Sequence, residues 1–211
     1  MTEDRPQIGP DAPFNLQENA RRYFKNAESF REQGQHRSMA ECYEKALELG
    51  KASDTPDGLA IAAEACLYLG HRAKTHAAWG LALKHYEESI SLGRRSGTPE
   101  GLYAATRAAW NLGNTLEEAG MEGLEDAFRD AIQLGRASQL QAALEVAAKA
   151  AFNLASNLYP DEGSVPSEQV ETIAEVWREA IELGNECGTR DGKEVASKAT
   201  RYLSELTQNE D

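Results

Sequence analysis

Four histidines, three cysteines and a surplus of acids are the residues of this 211-residue chain whose side chains could carry chemistry. His71 and His76 lie five positions apart. On a helix of about 3.6 residues per turn that separates them by about 140°, poor geometry for one shared metal ion. His85 could join them only through a tertiary meeting that spacing does not reveal, and His36 falls at a turn. All four read as surface histidines, and no metal site is expected. Cys42, Cys66 and Cys187 are far apart, odd in number and without a Cys-x-x-Cys pair. They read as small buried or half-buried hydrophobes in a reducing compartment. Neighbouring acids such as Glu117-Glu118 are ordinary on a solvated helix and need no acid–base role. The sequence holds no P-loop, no strand-borne GxGxxG and no G-x-S-x-G elbow. A protein that is not an enzyme and carries no cofactor is expected.

The elements that must position these residues are helical. Hydrophobic residues make up 41% of the chain and charged residues 27%, an ordinary balance for a folded protein. Ala, Leu and Glu recur throughout, all good helix formers. Leu59, Ala62, Ala63, Cys66 and Leu69 follow at helical steps, and no run of alternating β-branched residues suggests a strand. No stretch approaches the roughly 20 apolar residues of a membrane helix. The polar opening, Met1 to Pro6, lacks the apolar core of a signal peptide. A soluble, cytoplasmic protein is expected. The net charge of −13 opposes binding to phosphate backbones, so neither nucleic acid nor a membrane is expected as a partner.

The chain repeats itself. Tyr43-Glu-Lys-Ala-Leu-Glu-Leu-Gly50 returns as Tyr86-Glu-Glu-Ser-Ile-Ser-Leu-Gly93, as Phe128-Arg-Asp-Ala-Ile-Gln-Leu-Gly135 and as Trp177-Arg-Glu-Ala-Ile-Glu-Leu-Gly184. The steps between the glycines are 43, 42 and 49 residues. A period in this range marks stacked units, each burying its apolar face against its neighbours. A preceding block repeats too: Cys66-Leu-Tyr-Leu-Gly70, Trp110-Asn-Leu-Gly113, Phe152-Asn-Leu-Ala155 and a fading Tyr202-Leu-Ser204. A glycine inside a helix costs about 1 kcal/mol relative to alanine, so four at one position point to close helix approach or a shared bend. Thr55-Pro-Asp-Gly58 and Thr98-Pro-Glu-Gly101 read as helix starts, with Thr as cap, Pro first and an acid in the first turn. Thr189-Arg-Asp-Gly192 is a weaker copy, and Ser138-Gln-Leu-Gln141 lacks the Pro.

These blocks resemble tetratricopeptide repeats, whose first helix carries a large residue followed by Leu-Gly and whose second carries small, aromatic and small positions. Tyr23, Ala27, Phe30, Gly34, Met39, Tyr43 and Ala46 fall at that spacing in the first unit, and Cys66, Leu69, Gly70, Ala73, Ala82, Tyr86 and Ser89 in the second. Leu112, Gly113, Leu116, Gly120, Phe128 and Ala131 follow after a one-residue slip, then Leu154, Ala155, Leu158, Ile173, Trp177 and Ala180. The resemblance spans residues 14–207. The period departs from the family's usual 34 or so and resembles a variant of about 42 residues. The proline that normally ends the second helix is replaced by Lys51 and Arg94. The implied fold is all-α: a right-handed α–α superhelix of four helix pairs and a C-terminal capping helix. The divisions are a flexible tail at 1–13, units at 14–53, 56–96, 99–138 and 140–187, a cap at 191–207 and a tail at 208–211. Tyr159 to Ser167, rich in Pro and Gly, reads as a surface loop that lengthens the last step.

In this family partners lie across a concave face lined by the first helices. The resemblance places three columns there: Arg21, Glu64, Arg107, Lys149 and Lys198; Phe24, Leu67, Trp110 and Phe152; and Lys25, Tyr68, Asn111 and Asn153, with Asn114 one turn on. The candidate contacts are Arg107, Trp110, Asn111, Asn114, Lys149, Phe152, Asn153 and Lys198. Cations beside aromatics and amides suit an acidic or carboxylate-bearing peptide. The alternatives at these positions are packing of Trp110 and Phe152 between repeats and ion pairing of the cations with nearby Glu. The family's carboxylate clamp is not reproduced, because its first-repeat Lys and Asn positions hold Phe24 and Glu28. The expected function is a protein–protein interaction module, an adaptor or regulator, that binds a peptide or helix. The alternative is a scaffold that self-associates through repeat or end-helix faces into a homo-oligomer.

Overall fold

The computed structural model describes residues 13–159 and 165–208, and among them every regular element is a helix. The helices are α1 (Pro13–Glu32), α2 (His36–Ser53), α3 (Pro56–Thr75), α4 (Trp79–Ser96), α5 (Pro99–Glu118), α6 (Leu124–Ser138), α7 (Gln141–Leu158), α8 (Ser167–Glu186) and α9 (Arg190–Gln208). Residues 1–12, 160–164 and 209–211 lie outside the description. So therefore do most of the N-terminal tail, the middle of the Tyr159–Ser167 loop and most of the last tail. Pro13 and Gln208 sit inside α1 and α9.

Three of the first helices begin at a threonine cap. Thr55 accepts a hydrogen bond from the Gly58 N–H at 3.1 Å, Thr98 from Gly101 at 3.1 Å and Thr189 from Gly192 at 3.0 Å. Such a cap contributes about 1 kcal/mol. Asp57, Glu100 and Asp191 then sit against the positive end of their helices. α7 starts after Leu140 with no side-chain cap, as the missing Thr-Pro implies. The slip in the third unit also has a cause. The turn between α5 and α6 runs from Ala119 to Gly123 through two left-handed glycines, and α6 is a 15-residue helix.

Consecutive helices pack antiparallel-fashion in sequence order, and each odd-numbered helix also packs on the next odd-numbered one. The even-numbered helices have no such backbone packing between them. The result is two layers, with α1, α3, α5, α7 and α9 forming the inner one. Within each pair an aromatic from the second helix lies on a small residue of the first. A methyl at Gly70 would stand 2.6 Å from the Tyr86 ring, and one at Gly113 2.5 Å from the Phe128 ring. Tyr43, Tyr86, Phe128 and Trp177 are essentially inaccessible, and burying each contributes about 2–3 kcal/mol.

The four repeated glycines make the joints between units. A methyl on Gly93 would lie 2.2 Å from the carbonyl oxygen of Gly101, and one on Gly184 2.4 Å from that of Gly192. The second helix of one unit therefore crosses the first turn of the next with its backbone nearly touching. Just after each crossing the chain turns through a left-handed residue: Asp54, Gly97, Gln139 or Gly188. The cations that stand in place of the proline also have a job here. Lys51 pairs with Glu88 at 2.5 Å, Arg94 with Asp130 at 2.8 Å, and Arg136 with Glu179 and Glu182 at 3.3 Å each. Each pair links two even-numbered helices whose backbones stay apart. Part-exposed pairs of this kind contribute under about 1 kcal/mol each, so they tune the outer layer rather than create it.

Candidate functional site

The columns expected along the first helices exist, but their members engage one another. Arg107 lies 3.7 Å from Glu64 and over the faces of Tyr68 and Tyr103, each centroid 5.5 Å away. Lys149 pairs with Glu145 at 2.6 Å and Asp191 at 3.5 Å, and Lys198 pairs with Glu194 at 2.8 Å. Asn111 is buried and donates to the Arg107 carbonyl of its own helix at 2.7 Å. The amides of Asn114 and Asn153 meet at 2.7 Å. Turned so that its oxygen faces the indole, Asn153 also accepts from Trp110 Nε1 at 3.3 Å. Trp110 is half-buried against the main core. Phe152 is half-buried as well, edge-on to Trp177 at 5.1 Å and to Tyr202 at 6.0 Å. The cations of the column are thus neutralised by acids of the same or the neighbouring unit.

A cavity of about 710 Å³ lies elsewhere, where the ends of α1 and α3 meet the start of α2. Arg31, His36, Arg37, Met39, Tyr43 and Tyr68 line one part of it, and His71, Arg72, Thr75 and His76 the rest. Its floor is aromatic: Tyr43 and Tyr68 stack with centroids 4.9 Å apart, and Phe24 meets Tyr43 edge-on at 5.5 Å. Arg31 covers the Tyr68 face at 4.9 Å. Stacking and cation contact hold the two tyrosines in one orientation.

The electrostatics of this cavity run against those of the whole molecule. Three arginines and three histidines line it without an acidic side chain, in a chain of net charge −13. Glu28 reaches in from behind to Arg31 and to the Tyr43 hydroxyl, and Glu41 pairs with Arg37 at 3.0 Å. Arg72 is exposed and makes no ion pair with any described residue. α2 begins at the rim with no side chain capping its first turn, which leaves backbone N–H groups directed outward. Burial, together with the charges of Arg107 and Lys74, lowers His71 to about 4, so its ring is neutral at physiological pH. The Tyr43 hydroxyl is pushed up by burial and by Glu28, and it stays protonated.

Two histidine expectations change. His36 and His76 are exposed, but His71 is half-buried in the cavity wall, and His85 is half-buried against Cys66. The reason is one of assembly: both side chains face the other helix of their own pair, His71 meeting the Tyr86 ring of α4 and His85 meeting Cys66 of α3. Cys66 and Cys187 are buried and Cys42 half-buried, all as free thiols. Arg31, Arg37 and Arg72 were outside the columns because the cavity forms at the turn end of the pairs. The only sequence signal for it was the local density of His and Arg between residues 31 and 76.

No family model matches the chain, and no curated protein does. Among solved structures it is similar to a crystal structure of a de novo designed helical repeat protein, DHR64, with 22% identity over 94% of this chain and 97% of that one and a TM-score of 0.37. It is also similar to the DHF58 filament, at 17% identity, 92% and 95% coverage and a TM-score of 0.37. The DHF119 filament gives 18%, 93%, 97% and 0.35.

Proposed function

We propose that this protein is a non-catalytic interaction module that holds an acidic segment of a partner protein, with the α1–α3 cavity as its anchoring point. One observation carries the proposal: three arginines and two stacked tyrosines line a cavity without an acidic wall, in a strongly acidic chain. A carboxylate entering there would meet the exposed guanidinium of Arg72 and the uncapped first turn of α2. An aromatic or aliphatic side chain beside it would pack against the half-buried Met39 and Tyr68, the latter held in place by the buried Tyr43 behind it. The rest of the partner would run along the first helices. There the paired cations Arg107, Lys149 and Lys198 could exchange their internal acids for the partner's at small net gain. The resemblance to tetratricopeptide repeats and a cytoplasmic setting fit the same reading. Self-association has thinner support, because Leu81 and Met121 are the only large apolar residues that stand exposed among those described.

The test uses fluorescence anisotropy with two labelled peptides, one rich in Glu and Asp around a single Phe and one with Lys in place of the acids. The acidic peptide should bind with an affinity that falls as salt rises, and the basic one should not. Arg37→Glu combined with Arg72→Glu should weaken binding at least about tenfold while helicity and melting stay unchanged. Equal binding by that variant, or preference for the basic peptide, would overturn the proposal.

A further inference from the structure

On the side of α3 away from the cavity, three different donor groups converge. Cys66 Sγ lies 3.5 Å from His85 Nδ1 and 3.7 Å from Glu88 Oε2. All three donor atoms fall within 4.8 Å of one another. His85 and Glu88 stand three residues apart on α4, on the face that meets Cys66 of α3. The other carboxylate oxygen of Glu88, Oε1, is held by Lys51 of α2 at 2.5 Å, which turns Oε2 toward the sulfur. An orienting partner of this kind is typical behind a metal-binding carboxylate.

The spacing fits one class of ion. With metal–sulfur and metal–nitrogen bonds of about 2.3 and 2.05 Å, a tetrahedral centre separates the two donors by about 3.5 Å. Sulfur and imidazole donors with one carboxylate favour zinc and its first-row neighbours over calcium or magnesium. We infer that Cys66, His85 and Glu88 form a three-ligand site for a zinc-type divalent cation, with water in the fourth position. On binding, the Cys66 S–H bond breaks, the proton passes to solvent and the thiolate takes up the metal. The thiolate and the Glu88 carboxylate then offset the two positive charges, and His85 binds as the neutral ring. Burial raises the Cys66 thiol and lowers His85, so without metal the pair rests as thiol and free imidazole. In that state the thiol is satisfied by the His85 carbonyl at 3.2 Å. The ion would tie α3 to α4 and, through Lys51, to α2.

Cobalt(II) titration of the metal-stripped full-length protein tests this. One equivalent should produce a thiolate-to-cobalt charge-transfer band and the intensified visible bands of a tetrahedral site, and one equivalent of zinc should bleach both. Zinc should also raise Tm, since it binds the folded chain. Cys66→Ala should abolish the charge-transfer band, whereas Cys187→Ala should keep it. His85→Gln and Glu88→Gln alter half-exposed side chains and leave the packing intact, and each should weaken binding by more than about 100-fold, beyond what loss of an outer partner costs. Absence of the band in the unmutated protein, or its survival in Cys66→Ala, would overturn the inference. None of these residues lines the α1–α3 cavity, so the result stands apart from peptide binding.

Discussion

Gly93→Ala should destabilise the protein, although the same change in an open helix stabilises one. Gly93 lies in the last turn of α4, where exchange for alanine normally gains up to about 1 kcal/mol. Its added methyl would lie 2.2 Å from the Gly101 carbonyl oxygen and 2.7 Å from the Ala105 methyl. Contacts under 3.0 Å are essentially never tolerated, so α4 and α5 must part by about 0.8 Å (3.0 − 2.2) or more. The obstacle is backbone, which cannot rotate away. Overpacking of this kind costs about 1–3 kcal/mol, with values above that where backbone itself must move. Set against the propensity gain, a net loss of about 2 kcal/mol is expected. Gly80→Ala is the internal control, because nothing lies within 4 Å of its added methyl, and it should stabilise by up to about 1 kcal/mol. Urea unfolding followed by circular dichroism measures both, and unchanged m-values would show that the transitions are comparable. A Gly93→Ala protein as stable as its parent would refute the close crossing on which the repeat joint is built.

Other consequences follow from the same geometry. Thr98→Ala removes the cap on Gly101 N–H and should cost about 1 kcal/mol in the same unfolding assay, with Thr55→Ala behaving alike. Gln139→Gly relieves a side chain held at φ 60° and should stabilise by about 1 kcal/mol, read as a higher urea midpoint. His71 supplies a pH dependence. Its folded value of about 4 lies below the ordinary 6.5, so between these the unfolded chain holds the extra proton and stability rises with pH. The contribution is complete above about 6.5 and lost as pH falls toward 4, about 1–2 kcal/mol for a half-buried ring. Melting of His71→Gln should show a shallower acid limb than the parent, and identical limbs would remove His71 as the cause.

How much of this was legible depends on whether a residue's partner sat at a fixed step along the chain. The aromatic of each second helix and the small residue it covers recur with the repeat, so Tyr86 with Gly70 and Phe128 with Gly113 betrayed the pairing. The Thr caps were legible for the same reason, being local. The glycine joints were half legible: four recurrences marked a close approach, but only the fold shows that Gly93 meets the first turn at Gly101. The columns placed Glu64 beside Arg107 and left ion pairing open, which the fold bears out, but they could not see Asp191, which meets Lys149 from the adjoining unit. The cavity escaped because Arg31, Arg37 and Arg72 come from two helix ends and a helix start, with no periodic relation. Cys66 and His85 escaped because they meet across the α3–α4 turn, and only folding decides which faces of two helices touch.

The central claim is that an acidic partner seats in the α1–α3 cavity, and the protein's own histidines report on it. His36, His71 and His76 line that cavity, while His85, the fourth, lies beside Cys66. Side-chain NMR spectra of histidine-labelled, metal-free protein, titrated with the Glu- and Asp-rich peptide, therefore carry their own control. The account predicts that His36, His71 and His76 resonances shift together and saturate while His85 stays still. Saturating binding that leaves those three unmoved would contradict it.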